Sequence, residues 1–231
     1  MTDLVQARPR FRWPHPAERE TTLYRVRHGR TKGNVDRTLC GRLDVPLDDL
    51  GLVQAQRVAD RIAHEIRVDA LLTSPLTRAR QTAGFIAGQT GLRPTIIDDL
   101  AEWNFGDYEG KTLAEVMSTA PQVLKALENI EDDDVGWPGG EIRRKFHARV
   151  AGVFRQIAGD YHSQSVVVVA HGGVLGSLAA QIHGQQPNDW AAYNFHNCSL
   201  SHVSFSAEGV DVVMINDVAH LAELVEIRNG G

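Results

Sequence analysis

Short apolar runs alternate along the chain with longer amphipathic stretches. Residues 22–26 read as a strand that ends directly at Arg27-His28-Gly29. From 49 to 66 the apolar positions Ala55, Val58, Ile62 and Ile66 recur at three- and four-residue steps, which predicts a helix. A second buried strand follows at 69–73. Ser74 and Pro75 then read as the N-cap and first-turn proline of a helix that runs to Thr90 and stops at Gly91. Residues 95–97 form a third strand. The stretch 112–130 opens with a Thr112/Glu115 capping box and reads as one helix. Glu131 to Gly140 reads as a loop. A long helix then carries Ile142, Phe146, Val150, Val153 and Ile157 on one face. Four consecutive valines within 165–170 mark a strand buried on both sides, as in a parallel sheet. It ends at His171-Gly172-Gly173, and a helix is expected from about Val174. Residues 200–206 and 210–215 predict a hairpin turning at Glu208-Gly209.

Strands that alternate with helices predict an α/β fold: a mostly parallel central sheet with helices on both faces. The 231 residues suit one domain over 21–231, and the Pro- and Arg-rich residues 1–20 read as an N-terminal arm laid over it. The formal charge of −5 argues against a nucleic-acid partner, which calls for a basic stripe. No stretch approaches the roughly 18 apolar residues of a membrane span, and no signal segment is visible, so no membrane partner is expected. Cys40 and Cys198 stand far apart without metal-ligand spacing, so the expected compartment is reducing and cytoplasmic. The histidines show no HExxH spacing, which leaves no metal site. A Walker loop is absent, and Ser204 stands where a cysteine phosphatase would need an arginine after Cys198.

In parallel sheets ligands bind beyond the carboxyl ends of the strands. Two strands here end in histidine followed by glycine, at His28 and His171. A lone histidine at such a place is usually packed or hydrogen-bonded, but two in the same setting point to a shared site. Arg27 adjoins the first. Arg78 lies near a helix start, where amides and the macrodipole favour an anion, while Arg80 reads as a solvated neighbour. Arg27, His28, Arg78 and His171 together make a cationic pocket suited to a dianion. Guanidinium forks bind phosphoryl oxygens in pairs, and phosphoryl transfer needs chiefly alignment and charge stabilisation.

The string Val26-Arg27-His28-Gly29-Arg30-Thr31-Lys32-Gly33-Asn34 resembles the signature of the histidine phosphatase (phosphoglycerate mutase-like) superfamily. Further blocks resemble the family in its order: Asp44-Val45-Pro46-Leu47 with Gly51 and Gln54-Ala55, then Ser74 to Ala83, Glu102 to Gly110, Pro138 to Glu141, and Ala170 to Gly173. The resemblance spans about residues 22–221. It implies a metal-independent phosphatase that hydrolyses small phosphomonoesters without a cofactor. His28 would be the nucleophile and form a phosphohistidine, Glu102 the acid and then base, and Arg27, Arg78 and His171 the holders of the transferring group. Thr31, Asn34, Cys40, Gly41 and Gly172 match positions beside phosphate or substrate. A helical cap insertion is expected at about 103–160. Asp107 and Glu109 are rival acids on the Glu102 loop. Trp103, Trp137 and Tyr108 are candidates either for a substrate pocket or for packing. Relatives often carry Glu or Gln where this chain has Arg30, an added cation that either favours acidic substrates near the mouth or simply faces water. The alternative activity is phosphoglycerate mutase, although residues 102–112 resemble phosphatase members. A catalytically dead binding module is disfavoured because all five catalytic positions are filled. The partner expected is a small phosphorylated metabolite, and the late edge strands offer a surface for a homodimer.

Overall fold

The computed structural model describes residues 21–129, 132–185, 187–206 and 209–224. The expected arm at 1–20 and the hairpin residue Glu208 lie outside them. Six strands, β1 (Thr21–Arg27), β2 (Ala70–Thr73), β3 (Thr95–Ile96), β4 (Ser165–Ala170), β5 (Leu200–Ser206) and β6 (Gly209–Asp217), form one sheet in the order β3-β2-β4-β1-β5-β6. Strands β1 to β4 pair in parallel, and β5 and β6 add an antiparallel edge beside β1. The sheet is therefore mostly parallel, as the alternation of strands and helices predicts.

The helices are α1 (Lys32–Asp36), α2 (Asp49–Glu65), α3 (Thr77–Thr90), α4 (Leu113–Thr119), α5 (Pro121–Glu128), α6 (Arg143–Asp160) and α7 (Gly172–Ile182). Strand alternation divides the core between the two faces. On β4, Val167 and Val169 pack with Val58, Ile62 and Ile86 of α2 and α3, while Val166 and Val168 pack with Phe154, Ile157 and Leu178 of α6 and α7. Burying both faces is what the valine run does, and it fixes the carboxyl ends of β1, β2 and β4 side by side.

Three local expectations are corrected. Helix α3 starts at Thr77, not at Ser74-Pro75. The Ser74 hydroxyl is drawn to His171, and the free amide of Thr77 is capped from outside by Asp44, at 2.6 Å. The stretch 112–130 forms two helices. Pro121 has no N–H to continue the ladder, so α4 ends and α5 begins around Ala120, although the Thr112/Glu115 capping box is present. Helix α7 begins at Gly172, two residues earlier than expected. Within the segment 103–160 read as a cap, α6 sends Val150, Val153, Phe154 and Ile157 into the core under the sheet. Arg143 at its start, itself buried, donates to the carbonyls of Leu127, Asn129 and Asp132, tying down the chain that leaves α5.

Candidate active site

His28 sits one residue beyond β1 and is buried. Its Nδ1 lies 2.7 Å from the carbonyl of Gly29, which can only accept, so Nδ1 carries the proton and Nε2 keeps its lone pair. Burial first, then the Arg78 and Arg27 charges, hold the imidazole's pKa well below the ordinary histidine value. The ring is thus neutral at pH 7, with the Nε2 lone pair free. Its backbone is fixed from both sides. The Gly29 amide donates to Thr82 Oγ1 at 3.0 Å, and Asn197 Nδ2 donates to the His28 carbonyl at 3.0 Å. Glycine is required at 29 because a Cβ there would run into the Gly51 carbonyl at the start of α2.

His171 lies against His28, with ring centroids 5.1 Å apart. Arg78 Nε donates to its Nδ1 at 3.2 Å, so its proton is on Nε2, which bonds Ser74 Oγ at 2.6 Å. Burial and the adjoining cations depress this histidine's pKa as well. Arg78 is buried and heavily engaged. Besides His171, it donates to the carbonyls of Leu43, Cys40 and Gly41 at 2.8–2.9 Å. Arg27 donates through Nη1 to the Phe195 carbonyl, but its Nε is buried with no acceptor. A buried guanidinium N–H left unpaired is costly, and an anion's oxygen is the natural acceptor. Gly172 lies over this guanidinium, its Cβ direction 3.6 Å from the Arg27 Cζ.

The three carboxylates that are candidates for the acid differ in what each touches. Glu102 accepts the amides of Trp103 and Gly173, both at 2.9 Å, and so sits at the N-terminus of α7 beside His171. A Cβ at Gly173 would collide with Glu102 Oε1. Glu102 also acts electrostatically on Arg27 and Arg78. Glu109 accepts the amides of Arg42, Leu43 and Phe105 at 2.8–2.9 Å, joining two loops, and Asp107 is exposed. Of the three, Glu102 is the one bonded to the first turn of α7, next to His171.

The remaining sequence candidates divide. Cys40 and Gly41 contribute their carbonyls to Arg78. Thr31 is buried and caps α1, its hydroxyl held between the amide and side chain of Asn34. Asn34 Oδ1 also accepts from Asn197, so both residues brace the His28 loop from behind. Arg30 does not face the mouth as a free cation, because its Nε is paired with Asp48 at 2.7 Å. Trp103 and Trp137 are packing residues. Trp103 is buried, stacks on Phe146 at 4.9 Å and donates to the Glu141 carbonyl; Trp137 lies edge-on to Phe105. Tyr108 packs on Trp137. Sequence reading missed Ser74, Thr82 and Asn197 as supports, and Arg42 as a third arginine of the neighbourhood. Ser74 lies inside a matched block but read as a helix cap, and Asn197 carries no local signal at all.

Among the described residues, no group of three or more His, Cys, Asp or Glu side chains is arranged to hold a metal ion, and no helix is long and apolar enough to cross a membrane. A family model for the histidine phosphatase superfamily (branch 1) matches residues 23–218. Phosphoglycerate mutase-like protein 4 of Arabidopsis thaliana is 34% identical over 208 residues, covering 89% of either chain. A metal-independent phosphoserine phosphatase of the same plant is 29% identical, covering 98% of this chain and 95% of its own. The solved structure of a mycobacterial glucosyl-3-phosphoglycerate phosphatase superposes with a TM-score of 0.74 at 29% identity, over 87% of this chain and 100% of that one.

Proposed function

We propose that this chain, which belongs to branch 1 of the histidine phosphatase superfamily and is a phosphatase of that family, hydrolyses small phosphomonoesters without a metal, through a phosphohistidine on His28. The reading is carried by the bond from His28 Nδ1–H to the Gly29 carbonyl, which leaves the Nε2 lone pair for phosphorus. Nε2 attacks, the phosphorus–oxygen bond to the alcohol breaks, and Glu102 in its acid form protonates the leaving oxygen. Water then attacks phosphorus, the phosphorus–nitrogen bond breaks, and the Glu102 carboxylate takes the water's proton. Inorganic phosphate leaves and the imidazole is neutral again.

The transferring group is held by guanidinium donors, with Arg27 Nε as the one that lacks a protein acceptor. His171 acts together with Arg78, whose Nε it accepts, and keeps the ring of His28 in place. The cap expected at about 103–160, with α4 and α5 among its helices, would cover the alcohol side. We place the reaction in the cytoplasm, where Cys40 and Cys198 persist as free thiols.

The test is hydrolysis of p-nitrophenyl phosphate in EDTA by the native protein and by His28→Ala. Turnover that survives chelation, is lost in the variant, and proceeds through an acid-labile, alkali-stable phosphoenzyme supports the reading. Activity abolished by EDTA or retained by His28→Ala overturns it. Isomerisation of phosphoglycerate that depends on a bisphosphoglycerate would transfer the assignment to a mutase.

A further inference from the structure

Arg42 stands between the two halves of the site. Its neighbours Gly41 and Leu43 give their carbonyls to Arg78, and its own amide is held by Glu109. Its charge is felt by His171, and Glu102 acts on it in turn. The side chain is half-buried, and Nε is buried with no acceptor.

Three carboxylates surround it electrostatically, Glu141, Glu102 and Glu109, along with the cation Arg149. Each of the three is already committed. Glu141 takes both Nε and Nη2 of Arg149, at 3.0 and 2.8 Å. Glu102 is held by the amides of Trp103 and Gly173, and Glu109 by three amides. None pairs with Arg42 among the described residues. Among acids, a guanidinium without a bonded partner is expensive to keep partly desolvated. Glu102 acts on it, and in the proposed reaction Glu102 marks the side on which the alcohol portion leaves.

We propose that Arg42 is a specificity-determining residue that grips a second anionic group, carried on the alcohol portion of the substrate. The group is an oxyanion, either a carboxylate or a further phosphate, and the guanidinium fork suits both. The proposal rests on the phosphatase reading for the reaction, but its binding test does not.

The test measures dissociation constants by calorimetry in the His28→Ala background, where no turnover intervenes. One arm compares 3-phosphoglycerate with glycerol 3-phosphate, the other glucose 1,6-bisphosphate with glucose 6-phosphate. In at least one arm the doubly anionic ligand should bind about tenfold or more tighter, the scale of a hydrogen bond to a charged group. Adding Arg42→Gln should bring that ratio to near one, and Arg42→Lys should leave it intermediate. The favoured arm tells carboxylate from phosphate. Equal affinities in both arms, or a ratio untouched by Arg42→Gln, overturn the proposal. So does an equal loss for both members of a pair, which marks a merely structural arginine; Arg42→Met repeats the comparison with the stem kept. In the His28-containing enzyme, the same preference should appear in KM more than in kcat. If p-nitrophenyl phosphate were not hydrolysed, the phosphatase reading would fall while the affinity ratios stood.

Discussion

The phosphate end and the alcohol end of the proposed site are built differently. At the phosphate end, Arg27, His28, Arg78 and His171 stand on strand ends or the first turn of a helix; His28, Arg78 and His171 are buried and Arg27 is partly so. Most of their polar atoms are bound to backbone carbonyls, to one another or to Ser74; Arg27 Nε has no acceptor and His28 Nε2 keeps its lone pair. At the alcohol end, Glu102, Arg42 and Glu109 stand on loops, positioned by side-chain bonds to backbone amides. A transferring phosphoryl group has one shape, so a sheet edge can hold it rigidly. The alcohol portion varies among substrates, and loops pinned by a few hydrogen bonds can be rebuilt without disturbing the sheet.

The largest effect that breaks the comparison is at the nucleophile. His28→Ala should lower kcat/KM on aryl phosphates by about a thousandfold or more, measured by p-nitrophenol release. Next comes Gly173→Ala, which acts on the alcohol end from the phosphate side. The added methyl displaces Glu102, a flexible side chain, so the fold should survive while alkyl phosphates lose about 10²–10⁴-fold in kcat and aryl phosphates much less. Equal losses on the two ester classes would remove Glu102 from the acid role. Arg78→Ala should cost about ten- to a thousandfold in kcat/KM, and should also lower Tm because three carbonyls lose their donor.

The histidines give the phosphate end a pH signature of its own. In the unfolded chain His28 and His171 take up protons below their ordinary pKa of 6.5, whereas in the folded protein both are held well below it. Over that window the unfolded state binds more protons, so stability must fall as pH falls from about 6.5. The slope is at most about 1.4 kcal/mol per pH unit for each group. Urea unfolding at pH 7.0, 6.0 and 5.5 measures it, and His171→Asn should reduce it. The smallest effect belongs to Glu109→Gln, which weakens a loop joint of three amide bonds. It should cost about 1 kcal/mol in stability and a few-fold in KM, with kcat nearly kept.

The two ends also differed in how far they could be read from sequence. The phosphate end was legible because its residues lie within single local patterns: strand, histidine, glycine. The valines of β4 and the start of α2 at Asp49 announced the layers that hold it. What escaped depends on partners distant in the chain. Ser74 read as a cap because nothing local shows that His171, 97 residues on, takes its hydroxyl. Asn197 reaches back to His28 across 169 residues. Arg42 looks like any loop arginine until three committed carboxylates are seen around it. Arg30 is the reverse case, an apparent extra cation that Asp48 neutralises.

The clustering of Arg27, Arg42 and Arg78 around one carboxylate bears on how substrate arrives. The chain as a whole is anionic, with a formal charge of −5, so a dianion at long range meets repulsion. Close to the site the three guanidiniums attract it, an attraction that low-dielectric walls strengthen. Added salt shortens the reach of both, to a Debye length of about 8 Å at physiological strength. Capture of a dianion is thus governed by a barrier outside and a funnel inside, and ionic strength sets where one gives way to the other.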